Sequence, residues 1–161
     1  MSTIDKGTKA SPGQHRQDHR QDHRQVAALP WRLDDGGELQ ILLVTSRTNK
    51  KWMLPKGWPM AGVTDAMAAL IEAREEAGVE GVVSPSPIGT YRYVRVLGEN
   101  RSRPARATIY ALRVVEEHTT WDEMNQRERA WFRLDVAASM VFEPDLARFL
   151  NDIAACRMML G

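Results

Sequence analysis

The spacing of apolar positions changes several times along this chain, and each change marks an element. Val26-Ala27-Ala28-Leu29-Pro30-Trp31-Arg32-Leu33 predicts a strand, Asp34-Asp35-Gly36-Gly37 a turn, and Leu39 to Thr45 a largely buried strand, which together make a hairpin. Lys51 to Leu54 predicts a short strand ending at Pro55-Lys56-Gly57. After a loop, Thr64 or Asp65 can cap a helix that runs to Ala77 and stops at Gly78. Further strands are expected at Gly81–Ser84, Ile88–Leu97, Ala105–Glu116 and Glu128–Leu134, and helices at Asp135–Met140 and Pro144–Met159. In the last helix Leu146, Phe149, Leu150 and Ile153 recur at helical spacing, which makes them core. Strands and helices alternate without a regular strand–helix–strand period. The expected fold class is therefore α/β (α+β), with a mixed β-sheet between helices.

The 161 residues suit one domain, and 43% hydrophobic residues are enough for one sizeable core. Residues 1–24 do not belong to it. They are polar and carry a tandem quartet, His15-Arg16-Gln17-Asp18 then His19-Arg20-Gln21-Asp22, so the expectation is a disordered low-complexity extension over 1–24 and a folded domain over 25–159. His15, His19 and His23 would stack on one face of a helix and could bind a transition metal, but nothing apolar would hold that helix. The longest apolar stretches, such as Ile41-Leu42-Leu43-Val44, fall far short of a membrane span, and the N-terminus has no apolar signal core. Cys156 stands alone, so neither an intrachain disulfide nor a thiolate zinc site is available. A cytoplasmic protein with no membrane partner is expected.

Net charge is +1, but charge is unevenly distributed. Residues 1–24 hold five basic against three acidic side chains, which leaves the body at −1. Within the body, Arg47 to Lys56 holds four positive charges and no negative one. Asp65 to Glu80 holds five acids against Arg74, and Arg92 to Arg106 holds five arginines against Glu99. A binder of long nucleic acid would show a domain-wide basic excess, which is absent. An acidic block between two basic blocks instead fits a small, highly charged anion together with a metal ion.

The acidic block contains the chemistry. At ~100° per residue, Glu76 lies ~40° to one side of Glu72 and Glu75 ~60° to the other, so three carboxylates share one arc of the helix. Carboxylates this close repel one another unless a cation sits among them, and hard divalent ions prefer carboxylate oxygens. A solvated acidic face is the alternative that spacing alone leaves open.

Residues 57–79, from Gly57-Trp58-Pro59-Met60 to Glu75-Glu76-Ala77-Gly78-Val79, resemble the Nudix box, G-x5-E-x7-R-E-U-x-E-E-x-G-U with U aliphatic. Gly57 fits the first glycine, Glu72, Glu75 and Glu76 the last three acids, and Gly78-Val79 the closing pair. Two prescribed residues are absent, since the first Glu falls on Val63 and the Arg on Ile71. The flanking Leu42-Leu43-Val44-Thr45-Ser46-Arg47, Trp52-Met53-Leu54-Pro55-Lys56-Gly57 and Arg127-Glu128-Arg129-Ala130-Trp131-Phe132 are similar to the diphosphoinositol-polyphosphate and diadenosine-polyphosphate branch. The resemblance covers roughly residues 25–155 and implies a Nudix-type α/β/α sandwich. It also implies metal-dependent hydrolysis of a pyrophosphate bond in a dinucleoside polyphosphate or diphosphoinositol polyphosphate, with Mg²⁺ or Mn²⁺ as cofactor. The alternative is a catalytically impaired Nudix-fold module that binds a nucleotide or polyphosphate.

Position by position, the resemblance makes Glu72 and Glu76 the principal metal ligands, with the Gly57 carbonyl a further one, and Glu75 a ligand or the general base. Glu99, Glu123 and Glu128 are candidate bases outside the box. Arg47 and Lys56 are placed to contact phosphate. Arg92, Arg95, Arg101, Arg103 and Arg106 lie on an expected strand–loop–strand, where alternation sends only some to the site; Arg92 and Arg106 are the expected substrate contacts. Trp58, Tyr91 or Tyr93 could stack on a base or serve packing. Ile71 is the departure with most consequence, because the family's arginine holds a neighbouring carboxylate of the box helix in place and Ile cannot.

Overall fold

Alternation along β1 (Arg24–Leu33) sends Ala27 and Leu29 to one side and Val26 and Ala28 to the other, and all four are fully buried. The same holds for β2 (Leu39–Thr45), where Ile41 and Leu43 oppose Leu42 and Val44. A strand buried on both faces needs cover on both faces. The computed structural model, which describes residues 24–155, supplies it with helices above and below one sheet. Arg24, expected in the extension, is instead the first residue of β1, in register with Arg106; expectations for residues 1–23 and for a helix end at Met159 lie outside the described residues.

The sheet continues with β3 (Trp52–Met53), β4 (Lys56–Gly57), β5 (Val79–Val83), β6 (Gly89–Gly98), β7 (Arg101–Glu117) and β8 (Arg129–Arg133). Its central path runs β3-β2-β1-β7-β5, with β4 on β1, β6 on β7 and β8 on β2. β1 and β7 are parallel and the other pairs antiparallel, so the sheet is mixed. Helix α1 (Asp65–Ala77) covers the face of Val26, Leu42 and Val44. α2 (Leu134–Met140) and α3 (Pro144–Ala155) cover the other, where Leu146, Leu150 and Ile153 are fully buried. The result is the α/β/α sandwich. No helix among the described residues is long and apolar enough to cross a membrane.

Two features differ from the pattern in the sequence. β7 begins at Arg101, ahead of Pro104, because its first residues have β6 as a neighbour while pairing with β1 starts only at Arg106. A residue without an N–H is tolerated on such an edge. The Lys56-Gly57 dipeptide pairs with Ala27 and Val26, a contact too short to leave a periodic signal, and it brings Gly57 beneath α1.

Candidate functional site

α1 lies close to the sheet because its inner face is built of Ala66, Ala69, Ala73 and Ala77. Thr64 starts the helix, its Oγ1 accepting from the Met67 amide at 3.1 Å, and Gly78 ends it in the left-handed conformation, φ 68°. Its last carbonyls are claimed from outside. Trp121 Nε1 donates to the Glu76 carbonyl at 3.0 Å and Arg129 Nη1 to that of Ala77 at 2.8 Å, while the Arg129 guanidinium lies over the Trp121 ring at 3.8 Å. The end of the helix that carries Glu76 is thereby fixed to the segment before β8.

Glu72 and Glu76 enter one cleft of about 380 Å³, whose other polar walls include Gln25, Arg47, Arg95, Glu123 and Arg127. Glu76 is only 5% exposed. Its Oε1 accepts from the Lys56 amide at 3.3 Å, and its Oε2 lies 3.7 Å from Arg127 Nη2. Glu72 packs over Gly57 so closely that a Cβ there would overlap its carboxyl group. The two carboxyls lie close enough to influence each other's protonation. Burial is the main cause that pushes Glu72 up to about 7 and Glu76 up to about 8; Glu76 itself lowers Glu72, the charges of Glu75 and Glu123 raise Glu72, those of Glu72 and Glu123 raise Glu76, and Arg127 pulls both down. Two carboxylates in one cleft, Glu76 buried and Glu72 half-buried, beside the Gly57 main chain, form a donor set that suits a hard divalent cation.

The remaining expected residues divide between this cleft and other places. Glu75 opens on an adjoining hollow with Arg74, Glu80, His118 and Trp121, and its carbonyl accepts from the Glu123 amide at 3.1 Å. In that hollow Glu80 is met by His118 at 2.9 Å and Arg74 at 3.8 Å. Arg47 lies at the exposed rim of the cleft, donating to Gln126 Oε1 at 3.4 Å. Lys56 lines the cleft too, but its ammonium pairs with Glu143 at 3.1 Å and lies 4.4 Å over the Tyr93 ring, while its amide faces Glu76.

Arg92 and Arg106 are register partners that line a separate hollow with Pro104 and Ala105, away from Glu72 and Glu76. Arg95, three residues on, is the arginine of β6 that reaches the cleft, stacked over Trp58 at 4.7 Å. Tyr91 is fully buried in the core, and the Tyr93 hydroxyl is engaged by Gln25. Among the three bases considered outside the box, Glu123 lines the cleft, while Glu99 lies exposed in the β6–β7 turn and Glu128 is exposed beside β8. The sequence pattern did not single out Arg127, which carries no periodic signal in its loop.

The NUDIX domain family matches residues 22–153. Nudix hydrolase 16, mitochondrial, of Arabidopsis thaliana is 32% identical over 114 residues, which cover 69% of this chain and 63% of that protein; the chain thus spans less than two thirds of this relative. Human diphosphoinositol polyphosphate phosphohydrolase 3-beta is 29% identical over 150 residues, covering 90% of this chain and 87% of that protein. In the crystal structure of a C. elegans Ap4A hydrolase binary complex the same fold recurs at a TM-score of 0.62 and 18% identity, over 82% of this chain and 95% of the other.

Proposed function

The chain belongs to the NUDIX family, and on that premise we propose that it hydrolyses a pyrophosphate bond in a polyphosphate substrate, with Mg²⁺ or Mn²⁺ held by Glu72 and Glu76. The observation that carries this reading is the Glu72–Glu76 pair in one cleft, Glu76 buried and Glu72 half-buried, with Glu72 pressed against Gly57. A divalent cation bound there supplies neutralisation of phosphate oxygens and a lowered pKa for the attacking water. Glu72 and Glu76 would hold such an ion from the helix, and the Gly57 carbonyl from β4. Glu123 takes the water's proton from the cleft wall; Glu75, on the next hollow, is the alternative acceptor or a further ligand. Arg47 and Arg95 receive phosphate oxygens through their two-pronged guanidinium edges. The Lys56 ammonium is committed to Glu143 and contributes its amide instead.

The substrate class we assign is a dinucleoside polyphosphate or a diphosphoinositol polyphosphate. Its support is the basic rim beside the paired carboxylates and the names of two of the similar proteins. The departure at Ile71 favours a second reading, a module that binds such a ligand without turning it over.

Millimolar Mg²⁺ or Mn²⁺ is expected to raise the melting temperature by selective binding to the native state, and Glu76→Gln to abolish the rise. In a screen of pyrophosphate compounds read by released phosphate, the wild type turns over at least one and Glu76→Gln none. Stabilisation by a polyphosphate without turnover points to the binding module. Absence of both the metal shift and turnover overturns the metal-site reading.

A further inference from the structure

A helix that lacks its box arginine leaves a question of orientation, because Ile71 offers no charge. An arginine at position 71 would stand ~40° from Glu75 and ~140° from Glu76 around the helix, so it would address Glu75. Glu76 is held from elsewhere. Arg127, 9% exposed, presents its three guanidinium nitrogens to three different parts of the fold. Nε lies 2.6 Å from Glu123 Oε1 in its own loop, Nη1 donates to the Thr45 carbonyl at the end of β2 at 3.0 Å, and Nη2 pairs with Glu76 Oε2 of α1 at 3.7 Å.

A guanidinium is planar and rigid, so three contacts on one fork fix the relative placement of all three partners. Since the Lys56 amide holds the other oxygen of Glu76, that carboxylate is gripped on both sides. The i to i+4 backbone bond from the Arg127 amide to the Glu123 carbonyl, at 3.1 Å, closes the loop that carries the fork.

We propose that Arg127 is a positioning residue of this site: its guanidinium holds the Glu76 carboxylate and the Glu123 wall of the cleft in the arrangement that receives a divalent cation. This assignment rests on the metal-site reading above. Ile71 cannot hold Glu75, whereas Arg127 holds Glu76 by a cation that comes from the loop and not from the helix.

The test is a Mn²⁺ titration of the full chain, with free ion read by electron paramagnetic resonance, and unfolding by urea measured separately in metal-free buffer. Loss of an outer group that orients a ligand typically weakens metal affinity 10- to 100-fold, and Arg127→Met is expected to raise the Mn²⁺ midpoint within that range. Arg127→Lys, which keeps the charge but cannot span three partners, gives an intermediate midpoint. It also serves if burial of the unpaired Glu76 and Glu123 prevents Arg127→Met from folding. Arg129→Met loosens the helix end and the same segment without touching a box carboxylate, and is expected to lower urea resistance while shifting the midpoint less than Arg127→Met does.

A wild-type midpoint retained in Arg127→Lys and in any folded Arg127→Met overturns the assignment. So does an equal midpoint shift in Arg129→Met, which would make loop rigidity the cause. If the wild type itself binds no Mn²⁺, the metal-site reading fails, and the assignment falls with it.

Discussion

At the scale of single residues, the site depends on how closely Glu72 approaches Gly57. Any side chain at position 57 has to occupy space that the Glu72 carboxyl already fills, and the backbone cannot retreat because Gly57 is paired with Val26. Gly57→Ala is therefore expected to displace the carboxyl at little cost in stability, because the group that must move is the far end of a flexible side chain. Mn²⁺ should then no longer raise the melting temperature, and melts with and without the ion check both effects. Position 57 thus requires glycine for close approach, whereas Gly78 requires it for its left-handed backbone at the helix end.

At the scale of elements, two buried charged contacts tie separate elements together. One is the Arg127 fork. The other is the Lys56–Glu143 pair, which ties β4 to the start of α3 with the two side chains 10% and 3% exposed. Removing one partner of a buried pair leaves the other charge uncompensated, and Lys56→Met is expected to cost about 3–5 kcal/mol. Apolar replacement of both partners is often near neutral, so Lys56→Met with Glu143→Met should recover most of the loss. Urea unfolding of the two variants at neutral pH measures the difference. A full loss that persists in the double variant would place the energy in the packing of the Lys56 stem instead.

At the scale of the whole molecule, the buried Glu76 and half-buried Glu72 couple folding to pH and metal. Both carboxyls have folded pKa values, about 7 and about 8, above the ordinary 4.5 of the unfolded chain. Between pH 4.5 and 8 the unfolded chain gives up protons that the metal-free fold retains. Their contribution to stability is therefore complete below pH 4.5 and is lost as pH rises towards 8. Melting temperature of the metal-free protein, taken relative to Glu76→Gln, is expected to fall across this window. Mn²⁺ should remove the fall, because ligation displaces the same protons. A flat difference between the two proteins from pH 5 to 8 would contradict the burial of Glu76.

The order of elements was legible in the sequence because its signals are local: the apolar runs of β1 and β2, the Thr64 cap, the Gly78 stop and the periodic core of α3. The acidic arc was legible for the same reason, since helix geometry alone places Glu72, Glu75 and Glu76 together. Tertiary structure decided which of the three enter the cleft, because that depends on where β4 and the loop before β8 pass beside the helix. It also decided among the arginines. Arg92 and Arg95 differ by an odd number of residues and so face opposite sides of β6, and a strand's inward parity is set by its register with β7. Lys56 looks like a phosphate ligand in the sequence, yet parity on β4 turns its ammonium towards Glu143. Arg127 could be found only in three dimensions, since its partners Thr45 and Glu76 lie 82 and 51 positions away along the chain and no periodicity connects residues brought together by packing.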